Sequence, residues 1–237
     1  MNKYFAKALR ILTCVIVGSV ICVGGTWVLS KALADNGPPR FHGRTLGYWS
    51  AQLFSADVTA SNQANLILNQ EIIPQLTDQM FHDTNDSKVQ LMIIDALDHV
   101  VWISYINYYE APARRSMAAA DLGDFGPAGK GAIPALIQAV QSNDSDIDEP
   151  AITSLGEIHS EPDVVIPFLI KYLDNDDLDD DAATALGNFG GLARPAVPKI
   201  IALLHADDHD TRAAAYYALL KIDPVAFTNA TKIQAKK

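Results

Sequence analysis

Cysteine is almost absent from this chain of 237 residues, and its scarcity excludes two kinds of covalent stabilisation. The two cysteines, Cys14 and Cys22, both lie near the N-terminus. A disulfide framework and a cysteine zinc site each need several cysteines close together in the fold. Residues 35–237 can therefore contain neither of them, and they hold no cysteine nucleophile.

Recognisable catalytic motifs are also missing. The chain contains no G-x-S-x-G and no H-E-x-x-H pattern, and its six histidines are scattered. The stretch GPAGKGA, residues 126–132, has the composition of a phosphate loop but lacks the G-x-x-x-x-G-K-[ST] pattern. The sequence predicts no catalytic residue, no metal, no cofactor and no enzymatic activity.

Basic residues are scarce after the first 34 residues. Residues 35–237 contain 14 lysines and arginines against 28 aspartates and glutamates, a net charge of −14. A body of this charge would be repelled by the phosphates of nucleic acids. We therefore expect no nucleic-acid partner.

The N-terminus does contain a long run without charge. Three basic residues in MNKYFAKALR precede residues 11–29, nineteen residues without a charged side chain. As a helix this run would span about 28 Å, close to the hydrocarbon thickness of a bilayer. Because basic residues favour the cytoplasmic side, residues 1–34 predict a single-pass anchor in a bacterial inner membrane, with the acidic body outside the cytoplasm.

A cleavable signal peptide is the alternative interpretation of the same segment. The small residues around Ala34 suit a cleavage site, which would leave a secreted or periplasmic body. Residues 35–44 are rich in proline, glycine and polar residues and predict a linker. Folded structure is then expected over 45–237, beginning with Thr45 as a helix N-cap and with Leu46, Trp49 and Leu53 on one helical face.

A repeat of about 32 residues dominates the body. Leu122, Leu155, Leu186 and Leu219 recur at intervals of 33, 31 and 33 residues. A period of this size indicates stacked supersecondary units. We predict an all-α fold, an α-solenoid of about five stacked antiparallel helix pairs, clearest over 113–222.

Glycine and proline mark the joints of each predicted unit. The first helix should end just before Gly126, His159 or Gly190, each placed for a left-handed C-cap. The second helix should begin at one of three prolines, Pro134, Pro167 and Pro198. Glycines inside the first helices, at Gly123, Gly156 and Gly187, predict close contact between helices. Upstream, 58–69 would be the first helix of an earlier unit, with Pro74 opening the second.

Residues 182–222, AATALGNFGGLARPAVPKIIALLHADDHDTRAAAYYALLKI, resemble the short HEAT-like repeat. The stretch FHGRTLGYWSAQL behind an apolar N-terminus also resembles exported or membrane-anchored bacterial HEAT-repeat proteins. The resemblance implies a binding scaffold without catalytic residues. Some relatives with this repeat are bilin lyases, so a lyase-type or chaperone-like accessory is an alternative function, and a structural spacer is another.

Acidic turns follow the second helices and raise the question of metal binding. DNDDLDDD, residues 174–181, could attract calcium, but it departs from the EF-hand loop at several positions. HADDHD, residues 205–210, places two histidines four residues apart. Helix-capping turns explain both stretches, and calcium binding by them stays open.

The resemblance also places the second helices on the concave side of the stack, where a partner would bind. Polar residues four and seven positions after the first two repeat prolines are Gln138 and Gln141, and Lys171 and Asp174; after the third proline, Lys199 and His205 stand one and seven positions on. This mixed ladder predicts a protein or peptide partner. Tyr108 and Tyr109, in an aromatic stretch that fits the repeat poorly, are further candidates for partner contact because both cannot face inward on one helix.

Overall fold

A computed structural model describes residues 39–84 and 110–234 of the chain. Residues 40–84 and 110–234 fall within one structural unit. The predicted anchor or signal segment, 1–34, lies outside the described residues, as do Tyr108 and Tyr109. The fold below is therefore that of the body alone.

A small β-hairpin opens the body. Strand β1, Arg40–Phe41, pairs antiparallel with β2, Arg44–Thr45. The two turn residues, His42 and Gly43, have φ angles of 51° and 73°, the left-handed pair that a two-residue hairpin turn requires. Residues 40–44 of the predicted linker thus have regular structure.

Helix α1, Leu46–Leu53, follows the hairpin directly. Its predicted N-cap is confirmed, since the Thr45 side chain accepts a hydrogen bond from the backbone N–H of Tyr48. Trp49 is buried, and its indole Nε1 donates to the carbonyl oxygen of Phe41 at 3.0 Å. This bond fixes the hairpin to the helix, so that the two form one N-terminal element.

The predicted break between 58–69 and the helix at Pro74 is wrong. Helix α2, Val58–Ile67, continues through a π-helical turn, Leu68–Ile72, into helix α3, Ile73–His82. No glycine interrupts this run, and the N–H of Ile73 donates to the carbonyl of Leu68, five residues back. The wider turn makes room for the ring of Pro74, which would otherwise crowd the carbonyl four residues before it.

Four further helix pairs complete the stack. They are α4 (Ala111–Gly123) with α5 (Ile133–Gln141), α6 (Asp148–Ile158) with α7 (Pro162–Tyr172), α8 (Asp179–Asn188) with α9 (Val197–Leu203), and α10 (His209–Ile222) with α11 (Pro224–Gln234). The first helices α4, α6, α8 and α10 pack on one another in sequence, and α3 packs against α4. All four repeating leucines are fully buried. The all-α stack of helix pairs predicted from the repeat is therefore confirmed.

The left-handed residues predicted at the joints between the two helices of each unit are confirmed. Gly126, His159 and Gly190 have φ angles of 51°, 33° and 54°, so each is left-handed as predicted. His159 directly follows the end of α6, whereas Gly126 and Gly190 lie three and two residues after the last residues of α4 and α8. After the two glycines the chain forms short 3₁₀ helices, Gly126–Ala132 and Gly190–Ala196, before the second helix begins.

The prolines agree with the prediction in two units only. Pro134 and Pro198 are the second residues of α5 and α9, where a missing N–H is tolerated. Pro167 instead lies inside α7, because that helix already begins at Pro162, just after a left-handed Glu161 with φ 52°. The prediction that Pro167 opens its helix is therefore wrong.

Glycines within the first helices bring those helices close together, as predicted. A methyl group at Gly156 would lie 2.6 Å from Cα of Ala185 on the next first helix. At Gly187 it would lie 3.2 Å from Cα of Ala218, and at Gly123 2.9 Å from Cα of Ser154. We call these three contacts the glycine seam.

The predicted localisation as a single-pass inner-membrane protein is wrong. Within residues 39–84 and 110–234, no helix combines the length and the apolar character that crossing a bilayer requires. The long helical run Val58–His82 carries polar side chains along its whole length, including Asn62, Asn69 and Glu71.

Candidate partner-binding face

The predicted ladder residues lie on or directly after the second helices. Gln138 and Gln141 belong to α5, Lys171 to α7 and Lys199 to α9. Asp174 and His205 follow the ends of α7 and α9. All of them are exposed except Lys199, which is half-buried. We call the side of the stack that carries them the second-helix face.

Lys199 and Asp174 are brought together, and their contact joins neighbouring units. The Lys199 ammonium donates to Oδ2 of Asp174 at 2.6 Å and to the carbonyl oxygen of Ile170 at 3.0 Å. A cation at this point satisfies a backbone carbonyl in the last turn of α7 and suits the negative end of the helix dipole. Lys199 therefore stabilises the contact between α9 and α7.

The other ladder residues make no such contact. Among the described residues, the side chains of Gln138, Gln141, Lys171 and His205 have no hydrogen-bond or ion-pair partner. Two amides, one cation and one imidazole thus remain available to a ligand along three successive units.

The sequence predicted that the acidic turns cap the next first helices, and only Asp208, before α10, does so through its side chain. The N-cap residues of α6 and α8, Ile147 and Leu178, make no side-chain cap hydrogen bond. Asp144, Asn175 and Asp208 stand at equivalent positions, and each side chain accepts from the backbone N–H two residues later, at 3.2, 3.0 and 2.7 Å. Asp208 also accepts from Thr211 at 2.8 Å, and these backbone donors hold the pKa of its carboxyl below the usual value. In the part of the chain that the structure describes, no three His, Cys, Asp or Glu side chains converge as metal ligands would.

One arginine neutralises part of the first acidic turn. Arg115 of α4 donates to Asp144 at 2.5 Å and also to Asp146. The hydrogen bond from Arg115 lowers the pKa of Asp144, and the same bond raises the pKa of the guanidinium. A second bidentate pair, Arg114 with Asp83 at 2.8 Å, ties the end of α3 to the start of α4.

Two carboxyl groups on the first helices have raised pKa values. Burial, and secondarily the neighbouring Asp180 and Glu149, raise the pKa of Asp181 to about 7. Burial and Asp124 raise the pKa of Asp121 to about 6. Both side chains therefore keep their protons to a higher pH than an ordinary aspartate does.

A small cleft lies at the N-terminal element, where the sequence prediction placed no site. It is lined by His42, Arg44, Tyr48, Trp49, Gln52, Ala60 and Gln63 and has a volume of about 150 Å³. The Arg44 guanidinium stands 4.9 Å above the centre of the Tyr48 ring. His42 Nε2 lies 3.0 Å from Oε1 of Glu71 on the π-helical turn. The available signal was the concentration of basic and aromatic residues in FHGRTLGYW.

Stacked helix pairs with buried leucines and a glycine seam define an α-solenoid, a helical repeat protein. The model of the HEAT repeats family matches residues 101–187. The chain is a HEAT-like solenoid protein.

Two solved structures are similar to this chain at low sequence identity. The complex of CpcE and CpcF of phycocyanin lyase from Nostoc sp. PCC7120 is 21% identical, with a TM-score of 0.48 over 85% of this chain and 71% of that chain. An engineered protein is 19% identical, with a TM-score of 0.40 over 80% of this chain and 86% of that chain. No curated protein matches the chain.

Proposed function

We propose that the chain is a non-enzymatic scaffold that binds a protein or peptide along its second-helix face. The observation that carries this proposal is the set of unpartnered polar side chains on successive second helices. Gln138, Gln141 and Lys171 are exposed, and their side chains make no hydrogen bond to any described residue. Truncating such residues should leave the stack intact while weakening the binding of a partner.

The spacing of the units suits an extended segment of the partner. Packed helices stand about 8–10 Å apart, and an extended chain advances about 10 Å in three residues. A peptide lying across the second-helix face would therefore meet a new unit about every third residue. Amide side chains such as Gln138 and Gln141 can donate to and accept from its backbone.

Site-specific cross-linking tests which side of the stack meets the partner. A photo-reactive amino acid placed at Gln138 or Lys171 of the full chain should capture a protein in the native cells. The matched control positions are Ala120 and Thr153, exposed residues of the first helices at equivalent places in their units. Capture that is equal or stronger from the control positions would contradict the proposal.

Charge reversal gives an independent test once a partner has been captured. Lys171→Glu should weaken its binding about tenfold or more, whereas Lys130→Glu, an exposed lysine of a 3₁₀ helix, should not. Lys199→Glu is unsuitable, because it would place two carboxylates together and damage the contact between α7 and α9.

A lyase-type accessory and a structural spacer are the two alternative functions. The structural likeness to phycocyanin lyase has a TM-score of 0.48 and carries no argument for activity. A spacer predicts no difference in capture between the two sets of cross-linking positions, so the same experiment distinguishes it from a scaffold.

A further inference from the structure

We propose that the cleft between the hairpin, α1 and α2 binds a carboxylate group. This site is separate from the second-helix face and does not depend on the proposed function. Arg44 lines this cleft, and its guanidinium has no hydrogen-bond or ion-pair partner among the described residues.

Contact with Tyr48 orders this guanidinium without using its donors. The cation lies 4.9 Å from the ring centroid, within the range of a cation–π interaction. That interaction leaves the N–H groups of Arg44 unpaired. A planar guanidinium with unpaired donors matches the two oxygens of a carboxylate.

Further polar groups line the same cleft. The side-chain amides of Gln52 and Gln63 and the Tyr48 hydroxyl have no hydrogen-bond partner in the described chain. Ala60 and the buried Trp49 supply an apolar wall for the carbon atoms next to the carboxylate. A ligand could thus be held by charge and amide donors at one end and by apolar contact beside them.

The positive charge at the cleft comes from Arg44 itself. Residues 39–84 contain Arg40 and Arg44 as their basic residues other than histidine, against four aspartates and glutamates. Glu71, the acidic residue beside the cleft, is engaged by His42, whose Nε2 lies 3.0 and 3.1 Å from its two oxygens. Glu71 therefore does not compete for Arg44, and a ligand carboxylate can.

The volume limits the size of the ligand. The cleft, at about 150 Å³, is smaller than the roughly 300–1,000 Å³ of clefts that take drug-sized ligands. An aspartate or glutamate side chain of a protein fits, and so does a small free carboxylate. A nucleotide does not.

Binding is measured with the full chain by following the indole N–H signal of Trp49 in NMR spectra. This signal reports on the cleft because the Trp49 ring lines it, and Trp49→Phe assigns the signal. The probes are sodium acetate and a blocked peptide with a central glutamate, each compared with the glutamine version of the peptide. A saturable shift with the acids and none with the glutamine peptide is the expected result.

Two variants decide whether Arg44 is responsible. Arg44→Gln should weaken binding at least tenfold, and the neighbouring Arg40→Gln should leave it unchanged. Because the Arg44 side chain is exposed and makes no hydrogen bond among the described residues, the variant should retain the fold, which the circular dichroism spectrum checks. Gln63→Leu should weaken binding several-fold and serves as the second variant.

The two carboxylate probes distinguish the source of the ligand. Tighter binding of the glutamate peptide than of acetate assigns the cleft to an acidic residue of a protein, and equal binding assigns it to a small carboxylate. A response to the glutamine peptide equal to that of the acid, or equal losses in Arg40→Gln and Arg44→Gln, would overturn the proposal.

Discussion

At the scale of single residues, Gly156 gives the most direct test of the glycine seam. Gly156→Ala would place a methyl group 2.6 Å from Cα and 2.8 Å from Cβ of Ala185. Neither backbone can yield without moving a whole helix. We expect a loss of about 1–3 kcal/mol in the free energy of unfolding, measured by urea denaturation, although alanine is the better helix former.

Gly47→Ala is the matched control. Gly47 also lies in a helix, but a methyl group there meets nothing within 4 Å. This substitution should leave stability unchanged or raise it by up to about 1 kcal/mol. Equal losses at both glycines would mean that close packing is not the reason for glycine at 156.

Asp181 provides a prediction about pH. Its pKa of about 7 in the folded chain lies above the ordinary value of 3.8, so the folded state binds more protons than the unfolded state between these values. The contribution of this group to stability is therefore present below about pH 4 and is lost as the pH rises through 7. Asp181→Asn should remove that dependence.

The difference between Asp181→Asn and wild type is the quantity to measure. At pH 8 the variant should be more stable by about 1–2 kcal/mol, after allowance for solvent screening of a half-buried group, and the gap should close towards pH 4. Asp207→Asn, an exposed turn residue, is the control and should show no such trend. A gap that does not change with pH would show that Asp181 titrates normally.

Residue identity predicted the buried leucines, but it did not predict which ladder residue would contact the neighbouring second helix. Lys171 and Lys199 stand four and one residues after their repeat prolines, and only Lys199 reaches Asp174 and the carbonyl of Ile170. Their difference depends on how far α9 is displaced from the end of α7, and a single sequence does not contain that distance.

At the scale of elements, two neighbouring glycines at one joint differ in whether the backbone requires glycine. Gly190 has a φ angle of 54°, whereas Gly191 does not adopt a left-handed conformation and has open space around it. Gly190→Ala should cost about 1–2 kcal/mol in unfolding free energy, and Gly191→Ala should cost nothing measurable. Thermal denaturation of the two variants side by side would contradict the assignment of the joint if their midpoints coincided.

Helix starts were harder to predict than helix ends. A left-handed C-cap leaves a local signature, and residues 126, 159 and 190 all carried it. Proline is tolerated at a helix start, but it also survives inside α7 at Pro167, and near a π-helical turn at Pro74. Proline spacing alone cannot distinguish these cases, because the preceding backbone decides where the helix begins.

At the scale of the whole molecule, charge dominates. Residues 35–237 carry a net charge of −14, and self-repulsion of such a body destabilises the compact state. Raising sodium chloride from low to physiological concentration and above should raise the melting temperature by several degrees, because screening weakens this repulsion. A falling melting temperature would show that ion pairs such as Arg115–Asp144 outweigh it.

The repeat period predicted the stack because each unit has the same need to bury its apolar face against a neighbour. It could not reveal the cleft at the hairpin, which belongs to no repeat and depends on contacts between residues as distant as His42 and Glu71. The membrane localisation depended on residues 1–34 alone, a segment unrelated to the repeat.

The glycine seam has no counterpart on the last of the first helices. On α10 the position that corresponds to Gly123, Gly156 and Gly187 is Leu220, which is 42% exposed. A helix that approached this side of α10 as closely as α10 approaches α8 would meet the Leu220 side chain. Any unit packed there would therefore need a wider spacing between helices than the seam glycines allow.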